Sequence, residues 1–167
     1  GAALRPAGSY RPAGAGALAL LGLAQIQEPA FHLAPYYHGL RMGSYEDFTA
    51  MRDRMNVLSA RFSPYGVVTV SEDADYRYLR HNGRAEASTS PIDMSTQLLI
   101  AHIPLFMHPS PSRVLNIGLG AGFTLGAITR HHDARAIVQA ELDPRIVEAA
   151  RVHFGDLTGW PLDDPRV

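Results

Sequence analysis

The stretch that decides the fold is Arg113-Val114-Leu115-Asn116-Ile117-Gly118-Leu119-Gly120-Ala121-Gly122, followed a helix length later by Ala136-Ile137-Val138-Gln139-Ala140-Glu141-Leu142-Asp143. The run from Val114 to Ile117, bounded by Arg113 and Gly118, reads as a short strand covered on both faces, the pattern of a parallel sheet. Gly118, Gly120 and Gly122 then allow a sharp turn at positive φ and a close approach of backbone to a ligand, because none carries a Cβ. A dinucleotide fingerprint needs its third glycine at position 123, where this chain has Phe123. The fit to a pyrophosphate site is therefore poor.

Glu141 ends the second apolar run, 23 residues after Gly118. A carboxylate there can accept hydrogen bonds from both hydroxyls of a ribose. Asp143-Pro144 follows as an N-cap and a first helical residue, and Ile146, Val147, Ala150 and Phe154 give the next helix an apolar face. The glycines alone would be an ordinary turn. With the acidic strand end and the cap in register they indicate a nucleoside pocket in an open α/β sheet, with Gly118, Gly120, Gly122, Glu141 and Asp143 as its cofactor-binding residues.

Upstream, Ser90-Pro91-Ile92-Asp93 carries a cap, a first-position proline and a first-turn acid, so a helix is predicted from Ile92 to Ile103, ended by Pro104. It places Asp93 and Gln97 four apart on one face. From Arg61 to Ser88 the period shortens toward two. Val67 to Val70 and Tyr76 to Arg80 read as strands, and Asn82-Gly83 is the strongest hairpin signal in the chain. A small antiparallel sheet is expected there. Phe48, Met51, Met55 and Leu58 predict an amphipathic helix before it, with Ser44 and Asp47 as a capping pair.

Residues 1–35 are rich in Pro, Gly and Ala around the apolar patch Ala15 to Ala24, which is too short to cross a bilayer needing about 20 residues. The expected organisation is a linker or tether over 1–35, a helix with a small sheet over 36–90, and a nucleoside-binding unit over 91–167. Fifteen basic against sixteen acidic residues leave no electrostatic footprint for nucleic acid or an anionic membrane. The absence of cysteine excludes disulfides, thiolate metal sites and a catalytic thiol. Among eight histidines no His-x3-His pair with a nearby carboxylate occurs, so no metal site is expected. His131-His132 are expected to cap the helix after the glycine loop, and His102 and His108 to be structural.

A family resemblance is carried by Ser63-Pro64-Tyr65-Gly66, Asn82-Gly83, Asp93, Gln97, His102-Ile103-Pro104-Leu105, His108-Pro109, the glycine loop, Glu141-Leu142-Asp143 and Asp164-Pro165-Arg166-Val167. From about Ser63 to Val167 the chain resembles the first half of a spermidine synthase (polyamine aminopropyltransferase) domain, a relative of the S-adenosylmethionine-dependent methyltransferases. It is most similar to the bacterial branch in which such a domain follows a membrane transporter-like region.

The resemblance implies an α/β fold: a partial Rossmann-like, methyltransferase-type parallel sheet preceded by a small antiparallel β-domain. It implies decarboxylated S-adenosylmethionine as co-substrate, or S-adenosylmethionine in a methyltransferase-type alternative, with a small-molecule amine as acceptor and no metal. Gln97, with Asp93 beside it, falls on the substrate side. Ala121 stands where the family has an acid that holds the amine end, and Gly66 where it has a nucleoside-contacting glutamine. A homodimer through the β-domain, cytoplasmic placement and an upstream covalent link to a membrane region complete the expectation. An ammonium cannot attack carbon, so a carboxylate has to take its proton. In the family that aspartate ends the fourth strand, expected beyond Val167, so no catalytic residue is assigned and the expectation is a binding half-site. The remaining alternative is a noncatalytic nucleoside-binding module. A sheet without its fourth strand would leave Val114 to Ile117 with an unpaired edge.

Overall fold

The computed structural model describes residues 45–167. Helix α1 (Tyr45–Arg54) leads into strands β1 (Asn56–Ser63), β2 (Gly66–Glu72), β3 (Arg77–His81) and β4 (Arg84–Ser88), then helix α2 (Pro91–Met107). Strand β5 (Arg113–Ile117), helix α3 (Phe123–Thr129), strand β6 (Ala136–Ala140), helix α4 (Pro144–Thr158) and a 3-10 turn (Pro161–Asp163) complete it. Residues 1–35, Ser44 and the side chains of Asp47, Phe48 and Met51 lie outside what is described.

Strands β1 to β4 form an antiparallel sheet in sequence order. Asn82 and Gly83 join β3 to β4 with φ of 50° and 80°, the left-handed pair a two-residue hairpin turn demands. One face of the sheet puts Val68, Val70, Leu79 and Ala87 into the core. The cross-strand register puts Thr69 and Arg80 together on the other face, next to Ser71 and Tyr78. Arg80 is fully buried there, with Nη1 donating to Ser71 Oγ and its guanidinium 4.5 Å from the Tyr78 ring centroid.

Two expected boundaries move. The helix expected to include Leu58 stops at Arg54, and Leu58 lies in β1 and packs against the core, because the residues from Asn56 onward pair with β2. Pro104 does not end α2. The helix continues to Met107, with buried Leu105 anchoring the extra turn and His108 N donating to Pro104 O at 3.0 Å.

Strands β5 and β6 pair in parallel, Arg113 against Ala136 through Ile117 against Ala140. Gly118 N donates to Ala140 O at 2.8 Å and carries the ladder into the glycine loop. On the outer edge of β6, Ile137 N donates to Arg166 O at 2.8 Å. The expectation of a strand covered on both faces fails, since Leu115, Ile117 and Val138 are 62%, 78% and 60% exposed. Only one face of this two-stranded sheet is packed, with Val114 and Ile137 turned toward the core.

Helices α3 and α4 lie close together because Gly126 allows it: a Cβ there would sit 2.5 Å from Thr158 O. Gly155 in α4 is likewise filled by the Trp160 ring, 2.3 Å from where its Cβ would be.

Candidate functional site

The glycine loop is the junction between β5 and α3. Gly118 and Gly120 have φ of +83° and +55°, and a Cβ on either would meet nothing within 4 Å. Bare backbone therefore faces open space at both. Gly122, at φ +91°, is the left-handed N-cap of α3 and packs toward Thr158 and Pro161.

Glu141 turns its carboxylate onto this loop. Oε2 accepts from Leu119 N at 2.7 Å, while Oε1 accepts from Leu142 N at 2.7 Å and Asp143 N at 3.0 Å. Three backbone donors leave about one of the four lone-pair positions of an ionised carboxylate free. Beside it an open groove of about 460 Å³ runs along Leu119, Ile137, Val138, Gln139 and Val147, within the size range of small-molecule sites. At the end of β5, Asn116 Nδ2 donates to Gln139 Oε1 at 2.6 Å and to Gly118 O at 3.3 Å, so it braces the loop from below. Sequence reasoning passed over Asn116; the signal was a lone amide inside an apolar strand.

Asp143 is 2% exposed and does not open onto the groove. It caps α4, with Oδ1 accepting from Arg145 N at 2.9 Å, and its Oδ2 accepts from Ser63 Oγ at 2.6 Å. Asp93 and Gln97 are both used at the junction of β4 and α2. Asp93 accepts from Ser88 Oγ and Gln97 Nε2 donates to Ser88 O at 3.2 Å. Thr124 Oγ1, in the first turn of α3, donates to Gln97 O at 2.9 Å, which sets Gln97 beside the glycine loop.

Ala121 is 1% exposed, in a crevice shared with Ala150, Gly155, Thr158 and Trp160. Gly66, at φ +140°, has no room for a Cβ, which would lie 2.1 Å from Asn82 Oδ1. Asn82 fills that space because its side chain accepts from Val67 N at 3.0 Å and donates to Tyr65 O at 3.4 Å.

The histidines do not cap α3. His131 Nε2 lies 2.8 Å from His102 Nδ1, with Phe106 packed against both rings. Burial, and then the neighbouring His102, hold the His131 imidazole below its ordinary value. The cation at the end of α3 is Arg166, which donates to Thr129 O, to His131 O at 3.0 Å and to Ala134 O at 2.9 Å while Asp164 holds its other side. Asp164 raises the Arg166 guanidinium further above its ordinary value. Sequence reasoning missed this role, for Arg166 lies 37 residues from Thr129. Among the described residues no group of three or more His, Asp or Glu could hold a metal ion, and no helix is long and apolar enough to cross a membrane.

A strand, a glycine turn, a helix and a second strand closed by a carboxylate form a Rossmann-like unit of the methyltransferase type. Residues 94–167 match the profile described as the spermine/spermidine synthase domain. The chain is 41% identical over 68 residues to a polyamine aminopropyltransferase of Thermotoga petrophila, covering 41% of this chain and 23% of the relative. It is 32% identical over 107 residues to that of Aeropyrum pernix, covering 64% of this chain and 33% of the relative. A crystal structure of a spermidine synthase in complex with the transition state analogue AdoDATO superposes with a TM-score of 0.61 at 29% identity, over 66% of this chain and 37% of that one. The chain thus spans about a quarter to a third of the curated relatives it matches.

Proposed function

We propose that this chain supplies the adenosine-recognising part of an aminopropyltransferase-like transferase, with decarboxylated S-adenosylmethionine or its methylthioadenosine product as ligand. The observation that carries the reading is the Glu141 carboxylate turned onto Leu119 N at 2.7 Å beside bare backbone at Gly118 and Gly120. A ribose diol can use the remaining lone pair of that carboxylate and displace one backbone donor for the second hydroxyl. The neighbour's complex with a transition state analogue supports the same ligand class for this loop.

Catalysis at the amine needs a base, and the proposal for this chain stops at nucleoside recognition. Buried Ala121 favours a second reading, a nucleoside-binding module without aminopropyl transfer, because nothing at that position can hold an ammonium. A homodimer through β1–β4 and an upstream membrane link remain proposals from the family branch, the first tested by sedimentation equilibrium.

The nucleoside assignment is tested by equilibrium dialysis with methylthioadenosine. Glu141→Gln should weaken binding roughly tenfold to a hundredfold, since an amide has one acceptor oxygen where the carboxylate has two. Equal affinity for both proteins overturns the ribose assignment. Decarboxylated S-adenosylmethionine binding much more tightly than the plain thioether would overturn the second reading, as it would require an amine-holding group.

A further inference from the structure

Three hydrogen bonds run in series from the antiparallel sheet to the glycine loop. Ser63 Oγ, at the end of β1, donates to Asp143 Oδ2 at 2.6 Å. Asp143 N donates to Glu141 Oε1 at 3.0 Å, and Leu119 N donates to Glu141 Oε2 at 2.7 Å. His81, at the end of β3, brings Nε2 to 3.8 Å from the same Asp143 oxygen, and that nitrogen is buried with no hydrogen-bond partner.

A helix cap needs only one carboxylate oxygen. Asp143 uses Oδ1 for that purpose, and its second oxygen goes to a residue 80 positions earlier in the chain. A buried carboxylate left short of donors is costly, so the Ser63 hydroxyl fixes its rotamer rather than decorates it. Fixing Asp143 fixes its own N–H, which is one of the donors that orient Glu141.

We propose that Ser63 and Asp143 are positioning residues for the nucleoside site. The first turn of the antiparallel sheet holds Asp143, Asp143 holds the Glu141 carboxylate toward the loop, and the sheet thereby sets the geometry of a pocket it does not line. As far as it concerns affinity, the inference rests on the nucleoside reading; as far as it concerns the relay, it does not.

The test uses the full chain without ligand and follows amide hydrogen exchange by NMR in wild type, Ser63→Ala and Ser63→Thr. Ser63→Ala should accelerate exchange at the Leu119 amide about tenfold, the loss of one hydrogen bond to a charged acceptor, while Asn116 and Val138, whose amides face the partner strand in the β5–β6 ladder, keep their wild-type rates. Ser63→Thr, which keeps the hydroxyl, should restore protection at Leu119. An unchanged Leu119 rate in Ser63→Ala overturns the relay, and so does an acceleration spread evenly over the ladder, which a purely structural role would give. With methylthioadenosine as probe, Ser63→Ala should bind about tenfold more weakly than wild type. If wild type binds no methylthioadenosine while the selective exchange effect holds, the ligand assignment fails and the relay stands.

Discussion

Gly66 shows how a single position is constrained from across a sheet. Its φ of +140° and the Asn82 side chain 2.1 Å from a would-be Cβ both exclude other residues. Gly66→Ala should cost roughly 1–3 kcal/mol, because Asn82 has to abandon Val67 N and Tyr65 O and the backbone is strained as well; urea denaturation reads the loss. From the sequence Gly66 reads only as an absent polar contact, since the residue that occupies its space is 16 positions away. His131 makes a second prediction. Its folded pKa is lowered, by burial first and by His102 next, so the unfolded chain takes up the proton earlier as pH falls. The contribution is complete above the ordinary imidazole value of about 6.5 and is lost as pH falls through the lowered folded value. His153 is shifted the same way, by burial and then by Arg77 and Arg61. Urea midpoints should drop on acidification across this range, and less so in His131→Gln.

Among the elements, caps and turns were legible because they are local. Ser90 accepts from Asp93 N and Asp143 from Arg145 N, each before a proline in the first turn. Asn82-Gly83 makes its hairpin. What was not legible depends on partners far along the chain: β1 starts at Asn56 because β2 pairs with it, and α3 ends on a guanidinium from beyond α4. Arg166→Ala should strip the carbonyls of Thr129, His131 and Ala134 of their donor at once and lower Tm more than an exposed Arg→Ala change such as Arg135→Ala. Gly126→Ala should cost about 1–3 kcal/mol by forcing α3 off the Thr158 carbonyl, a loss visible as a lower urea midpoint with an unchanged slope.

At the scale of the whole molecule, the glycine loop, Glu141 and the parallel register were readable from one strand–loop–strand stretch, while the bare sheet face was not. Period alone cannot tell a strand packed on two faces from one packed on a single face. The exposed Leu115, Ile117 and Val138 should bind an apolar fluorescent dye, and Ile117→Lys should reduce that signal with little effect on Tm, since Ile117 is 78% exposed in the folded chain. The proposed site has a further property that follows from its three internal donors. On the proposed reading a ribose would enter partly by exchange: one hydroxyl takes the free lone pair, the other takes a position that an amide already holds, and the displaced amide turns to solvent. The bond given up offsets part of what the two new bonds contribute. Binding should therefore release less heat than two new hydrogen bonds suggest, and the shifted resonance of a single amide, that of Leu119, should report it directly.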